Sequence, residues 1–204
     1  MTIRGIVFDI GGVLEYTPDL GVNTKWEQKL NLQPGELDKR LIQAWRDGSI
    51  GTITEAEVHQ KIGEILGIDT ELVNAMMADI WEEYLGSLNV ELAAYFAGLR
   101  PAYRTAILSN SFVGAREREQ EHYHFNEMCD FIIYSHEVGM SKPDRRIYAL
   151  TCERLGLPPE EVIFLDNYQK AVDAAVESGM HGILFKENTQ AIADIQACIQ
   201  ANAA

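Results

Sequence analysis

The sequence predicts an α/β protein, a doubly wound parallel sheet interrupted by an all-helical insert. Short apolar runs rich in Ile, Val and Phe recur at 3–8 (IRGIVF), 104–108 (RTAIL), 130–134 (DFIIY), 161–165 (EVIFL) and 181–185 (HGILF). Runs that are apolar throughout, rather than alternating, are what strands buried on both faces require. Between the later runs lie segments of helical period, and strand alternating with helix implies a parallel sheet covered on both sides. The stretch from about Tyr16 to Leu88 breaks that rhythm, with no strand-like run and several amphipathic helical patterns. A chain of 204 residues suits one domain or a domain carrying a smaller inserted one.

Taken in order, the first run ends in Asp9 and is followed by Gly11 and Gly12, which let the chain turn sharply and bring backbone groups close to a ligand. Within the insert, Thr54 and Glu57 form a capping box at a helix start, and Gly67 closes that helix. Asp69 or Thr70 can cap the next helix, which carries Leu72, Met76, Ile80 and Tyr84. Pro143 to Leu155 reads as a helix with Ile147, Leu150, Thr151 and Leu155 near one face and Gly156 as its stop. From Thr189 a last helix runs into terminal alanines. The chain shows no internal repeat, low-complexity tract or Pro-rich linker.

A formal net charge of -14 and a pI near 4.7 argue against nucleic acid or an anionic membrane surface as partner, because the long-range field repels both. A small anionic substrate would therefore need a local cation. No apolar run approaches the roughly 18 residues of a membrane span, and MTIRGIVFD lacks the features of a signal peptide, so a cytoplasmic location is expected. Cys129, Cys152 and Cys198 are odd in number and scattered, which suggests neither disulfides nor zinc. His122 and His124, two residues apart, would fall on different sides of a helix and make poor metal ligands.

In an open parallel sheet, ligands bind beyond the carboxyl ends of the strands. The polar residues found there are Asp9, then Ser109 and Asn110, then the loop leading to Lys142, then Asp166 and Asn167. A carboxylate pair can hold a hard cation such as Mg2+, while Ser, Lys and backbone N–H groups can hold phosphate oxygens. Each residue alone also has a plain reading: a turn-forming Asp, a Ser-Asn loop signal, a solvated lysine before a helix-opening proline. Their order and shared sheet edge favour a site.

With these residues in place, the chain resembles the haloacid dehalogenase (HAD) superfamily over essentially its whole length. FDIGGVL looks like the first motif, LSNS (108–111) the second, SKPDRRIY (141–148) the third and VIFLDNYQKAVDAAVESGMHGI (162–183) the fourth. The resemblance implies a Rossmann-like core of residues 1–15 and 89–204 and a helical cap of residues 16–88 that closes over the site. It further implies that Asp9 is the nucleophile, giving an aspartyl-phosphate. Asp9, Asp166 and the Gly11 carbonyl would hold Mg2+, Ser109 and Asn110 would bind phosphate, and Lys142 would neutralise charge around phosphate and nucleophile. In the cap turn WRDGSIGTIT, Trp45 or Arg46 could reach the substrate, although a packing Trp and a solvated Arg are the plainer readings.

The departures from the family pattern are specific. The second Asp of most phosphatases in the superfamily, the general acid and base, is here Gly11, and such catalysis typically contributes about 10²- to 10⁴-fold. Asn167 stands where a second acid is usual and could support a metal-bound water, and Ala171 stands where Asn is common. The DxGG form nonetheless resembles a subgroup assigned to sugar-phosphate chemistry. The leading expectation is a Mg2+-dependent phosphatase acting on a small phosphorylated metabolite. The alternatives are a catalytically weak or inactive phospho-ligand binder and a metal-independent 2-haloacid dehalogenase. The sequence carries no signal of oligomeric state.

Overall fold

The protein was analysed as a computed structural model that describes residues 2–203. The chain runs through β1 (Gly5–Phe8), β2 (Glu15–Tyr16), α1 (Val22–Lys29), α2 (Glu36–Ser49), α3 (Glu55–Leu66), α4 (Thr70–Leu85) and β3 (Ser87–Leu88). It continues through α5 (Val90–Gly98), β4 (Arg104–Ser109), α6 (Ala115–Tyr123), α7 (Phe125–Met128), β5 (Phe131–Tyr134), α8 (Ser135–Val138) and α9 (Arg145–Leu155). After a 3-10 turn at Pro159–Glu161 come β6 (Val162–Asp166), α10 (Gln169–Glu177), β7 (His181–Leu184) and α11 (Asn188–Ala201).

All five apolar runs form strands of one parallel sheet, in the order β5-β4-β1-β6-β7. Their continuous apolarity has the expected cause. Along β1, Ile6 and Phe8 enter one apolar layer while Val7 enters the other, and β6 divides Ile163 and Leu165 from Val162 and Phe164 in the same way. The edge strand β7 departs from the expectation of burial on both faces, because it has a neighbour on one side only and is half-buried along its length. No helix among the described residues is long and apolar enough to cross a membrane.

Helices α1 to α4 gather their own apolar cluster around Trp26, Leu41, Ile62, Met76 and Trp81, which also takes in Val113 and Ala115 beyond β4. The capping box of Thr54 and Glu57 is present, Gly67 ends α3 in the left-handed region, and Asp69 caps α4 by accepting from the Leu72 N–H. Three details differ from the sequence reading. Tyr16, Ser87 and Leu88, read as strand-free, belong with Glu15 to a two-residue antiparallel ribbon of β2 and β3 at the two ends of the helical stretch. The deepest face of α4 is Val73, Met76, Met77 and Trp81, rotated from the predicted stripe, so that Ile80 and Tyr84 line a cavity instead. Pro143 lies ahead of α9 rather than opening it, because Asp144 supplies the cap by accepting from the Arg146 N–H.

The turn after β1 separates the two glycines. Gly12 has φ +71°, and a Cβ there would lie 2.1 Å from Asn167 Nδ2, whereas a Cβ on Gly11 would meet nothing within 4 Å. Only Gly12 is therefore required by the backbone and by close approach. Gly12→Ala should destabilise by about 1–3 kcal/mol, the cost of a left-handed non-glycine residue, while Gly11→Ala should change little; urea denaturation of both variants checks this.

Candidate active site

Parallel pairing brings the ends of β1, β4 and β6 to one edge, and the Asp9 N–H extends the ladder by donating to the Leu165 carbonyl at 2.9 Å. The buried Lys142 lies between the carboxylates that follow: its Nζ is 2.7 Å from Asp9 Oδ1 and 2.6 Å from Asp166 Oδ2. This removes the reading of Lys142 as a solvated lysine. The second Asp166 oxygen accepts from the Tyr168 N–H at 2.7 Å, and Ser109 is buried at the end of β4. Asn110 spans the loop of Lys142 with both ends of its amide: Nδ2 donates to the Lys142 carbonyl at 2.9 Å and Oδ1 accepts from the Lys142 N–H at 2.7 Å. Its side chain thus positions the Lys142 backbone.

Two carboxylates and one ammonium leave this buried triad with an excess of negative charge. Burial pushes the Asp9 carboxyl up, the Lys142 ammonium pulls it down, and the neighbouring Asp166 pushes it up again. Two further buried acids interact with Asp9. Glu119 on α6 is pushed up to about 7, mainly by burial, although the hydroxyls of Tyr134 and Tyr84 donate to it. Glu15 is pushed up to about 9 by burial and by the charges of Glu119 and Asp9, and its Oε2 has no hydrogen-bond partner. A neutral acid at position 15 fits that orphan oxygen.

Hard oxygen donors beside an uncompensated negative charge suit Mg2+, which takes few protein ligands and keeps water or substrate oxygens for the rest. The set is lean. No group of three or more His, Cys, Asp or Glu side chains suited to a metal occurs among the described residues, and a site with two carboxylates leaves the remaining positions to backbone carbonyls, water or substrate. Asn167 is exposed with its amide against Gly12. Ala171 is fully buried among the apolar residues behind the sheet, and its carbonyl accepts from the Tyr148 hydroxyl at 2.8 Å, so that position is occupied by packing.

A cavity of about 440 Å³ is lined by α1, α2 and α4 on one side and by Asn110, Ser111, Phe112, Ser135 and Ser141 on the other. Asn110 and Ser141 are the chain neighbours of Ser109 and Lys142. Trp45 lines this cavity, edge-on to Phe112 at 5.7 Å between ring centroids. Arg46 is exposed and is not among the residues that line it. Sequence reasoning missed the Ser111–His136 pair, with Oγ and Nδ1 2.6 Å apart, and the Glu15–Glu119 acids. Both are assembled from distant elements, and Glu119 sits in a stretch, AREREQEHY, whose polarity gives no sign of burial.

The family description haloacid dehalogenase-like hydrolase matches residues 3–179, and the chain belongs to that family. It is 28% identical over 220 residues to bifunctional epoxide hydrolase 2 of Sus scrofa, covering 96% of this chain and 39% of that protein, so the chain spans about two fifths of that relative's length. It is 24% identical over 188 residues to D-ribitol-5-phosphate phosphatase of Bacteroides thetaiotaomicron, covering 87% of this chain and 89% of the other. Among solved structures, a HAD family enzyme of B. thetaiotaomicron in complex with magnesium and inorganic phosphate superposes with TM-score 0.79 at 22% identity, over 93% of this chain and 98% of that one. A HAD-like family hydrolase of Porphyromonas gingivalis gives TM-score 0.81 at 24% identity, over 96% and 98%. Those similarities establish the HAD fold, and the protein is a HAD-superfamily hydrolase.

Proposed function

We propose that the protein is a Mg2+-dependent phosphomonoester hydrolase of small metabolites that works through an aspartyl-phosphate on Asp9. The observation that carries this reading is the Lys142 ammonium held against both Asp9 and Asp166 at the strand ends. A carboxylate attacking a phosphate dianion meets like charge, and an ammonium fixed beside it lowers that barrier without reorganisation. The phosphatase among its relatives and the magnesium and phosphate bound by a structural neighbour support the same class.

In this reading Ser109 and Lys142 bind the phosphoryl oxygens, and Asn110 fixes Lys142 by gripping its backbone at both ends. The Asp9 carboxylate oxygen forms a bond to phosphorus as the ester P–O bond breaks, and the departing alkoxide takes its proton from water, since Gly11 has none to give. Water then attacks phosphorus, releasing phosphate and free Asp9. When bound by Asp9, Asp166 and the Gly11 carbonyl, Mg2+ would supply charge neutralisation for the phosphate. Residues 16–88 form the cap that closes the alcohol side of the substrate off from water.

Phosphate release from a panel of small phosphate esters, with and without Mg2+, tests this. Turnover should require Mg2+, should fall by about 10³-fold or more in Asp9→Asn, and should favour esters of acidic alcohols, which need least protonation. Silence across the panel, or an active Asp9→Asn, would sink the proposal.

A further inference from the structure

Resting on the phosphatase reading, we infer that the aromatic and acidic cavity selects phosphate esters whose alcohol portion carries an ammonium group and rejects those bearing a second anion. Trp45, Trp81, Tyr84 and Phe112 present ring surface to the cavity, and its charged lining residues are Asp38 and Glu83. No lysine, arginine or histidine lines it. Neither carboxylate meets a cation. Asp38 accepts from the Asn23 amide at 3.1 Å, Glu83 Oε2 accepts from the Leu20 N–H at 2.8 Å, and neither belongs to an ion pair among the described residues. Arg118 does cover a face of Trp81, 4.1 Å from the ring centroid, but it lies outside the cavity lining and its charge is met by Glu55 at 2.8 Å.

The cavity and the neighbouring triad therefore differ in what they offer. Lys142, whose chain neighbour Ser141 lines the cavity, is the cation of the phosphate site, whereas the cavity itself offers ring faces and carboxylates. An ammonium there meets both π-electron density and opposite charge. A second phosphate or carboxylate would be desolvated against like charge with no donor cation in reach, which binding energy elsewhere has to offset. The net charge of -14 works in the same direction. The four rings also accommodate alkyl or aromatic carbon, so the neutral ester ranks between the two charged ones.

The test uses three straight-chain alkyl phosphates of equal length that end in an ammonium, a methyl group or a carboxylate, with p-nitrophenyl phosphate as a general reporter of phosphatase activity. kcat/KM should fall in that order, with about a 100-fold span between the charged ends. In the Asp38→Asn, Glu83→Gln double variant the span should shrink by about tenfold or more. A carboxylate ester turned over as well as the ammonium ester, or a span unchanged in the double variant, overturns the inference while leaving the phosphatase reading intact if p-nitrophenyl phosphate is still hydrolysed. If no ester is hydrolysed, the phosphatase reading fails, and titration of tryptophan fluorescence with the same three esters still decides. Tighter binding of the ammonium ester supports the selectivity, and equal affinities overturn it.

Discussion

Glu15→Gln should make the protein less sensitive to alkaline pH. In the native protein burial and the neighbouring Glu119 and Asp9 raise the Glu15 carboxyl to about 9, against an ordinary value of 4.5. The native state therefore holds a proton that the unfolded chain releases. Stability contributed by this group is complete below the unfolded value and is lost as pH rises toward the folded one. Across pH 5.5 to 8 the slope from one such group is about 1.4 kcal/mol per pH unit. Glutamine does not titrate and places an amide near the orphan Oε2 position, so the variant should be close to the wild type at pH 5.5 and gain on it by about 1 kcal/mol per pH unit above. Urea denaturation at several pH values reads this directly, and parallel stability profiles for the two proteins would contradict it.

Lys142→Met should cost both stability and activity, by a different route. The thioether keeps most of the side-chain volume, so the change is chiefly the loss of an ammonium 2.7 Å and 2.6 Å from two buried carboxylates. Removing one partner from a buried ionic cluster typically costs about 3–5 kcal/mol, because the remaining charge is left uncompensated. Without the ammonium only a backbone hydrogen bond from Ile10 opposes the burial that already raises Asp9. The penalty should then be smaller at pH 5, where the carboxyl can protonate, and larger at pH 8. Phosphate release should fall by about 10²-fold or more, and thermal unfolding at the two pH values separates the charge effect from a packing defect, which would be independent of pH.

The legible and illegible parts of the sequence divide along a physical line. The sheet could be read because a strand buried on both faces needs an unbroken apolar run, as at GIVF and VIFLD, and because Thr54, Gly67 and Asp69 act on their own helices through local hydrogen bonds. Asp9, Ser109 and Asp166 could be placed at one edge because each ends its strand or follows it directly, and parallel register then aligns them. What depended on side-chain direction could not be read. Arg46 and Trp45 are adjacent on α2, yet a helix turns about 100° per residue and only Trp45 reaches the cavity. Nor could the hold of the Asn110 amide on the Lys142 backbone be read across 32 residues of sequence. Glu15 and Glu119 lie far apart in sequence, and their burial follows from how α6 and the β2–β3 ribbon pack, which neither local segment encodes.

The central claim is that Asp9 becomes phosphorylated during turnover, and trapping that species tests it most directly. The enzyme would be mixed with Mg2+ and a phosphate ester, quenched in acid and reduced with borohydride, which converts an acyl phosphate to an alcohol. Mass spectrometry should then find homoserine in place of Asp at position 9, dependent on substrate and on Mg2+. Turnover with Asp9 unmodified, or homoserine at another acidic residue, would contradict the account.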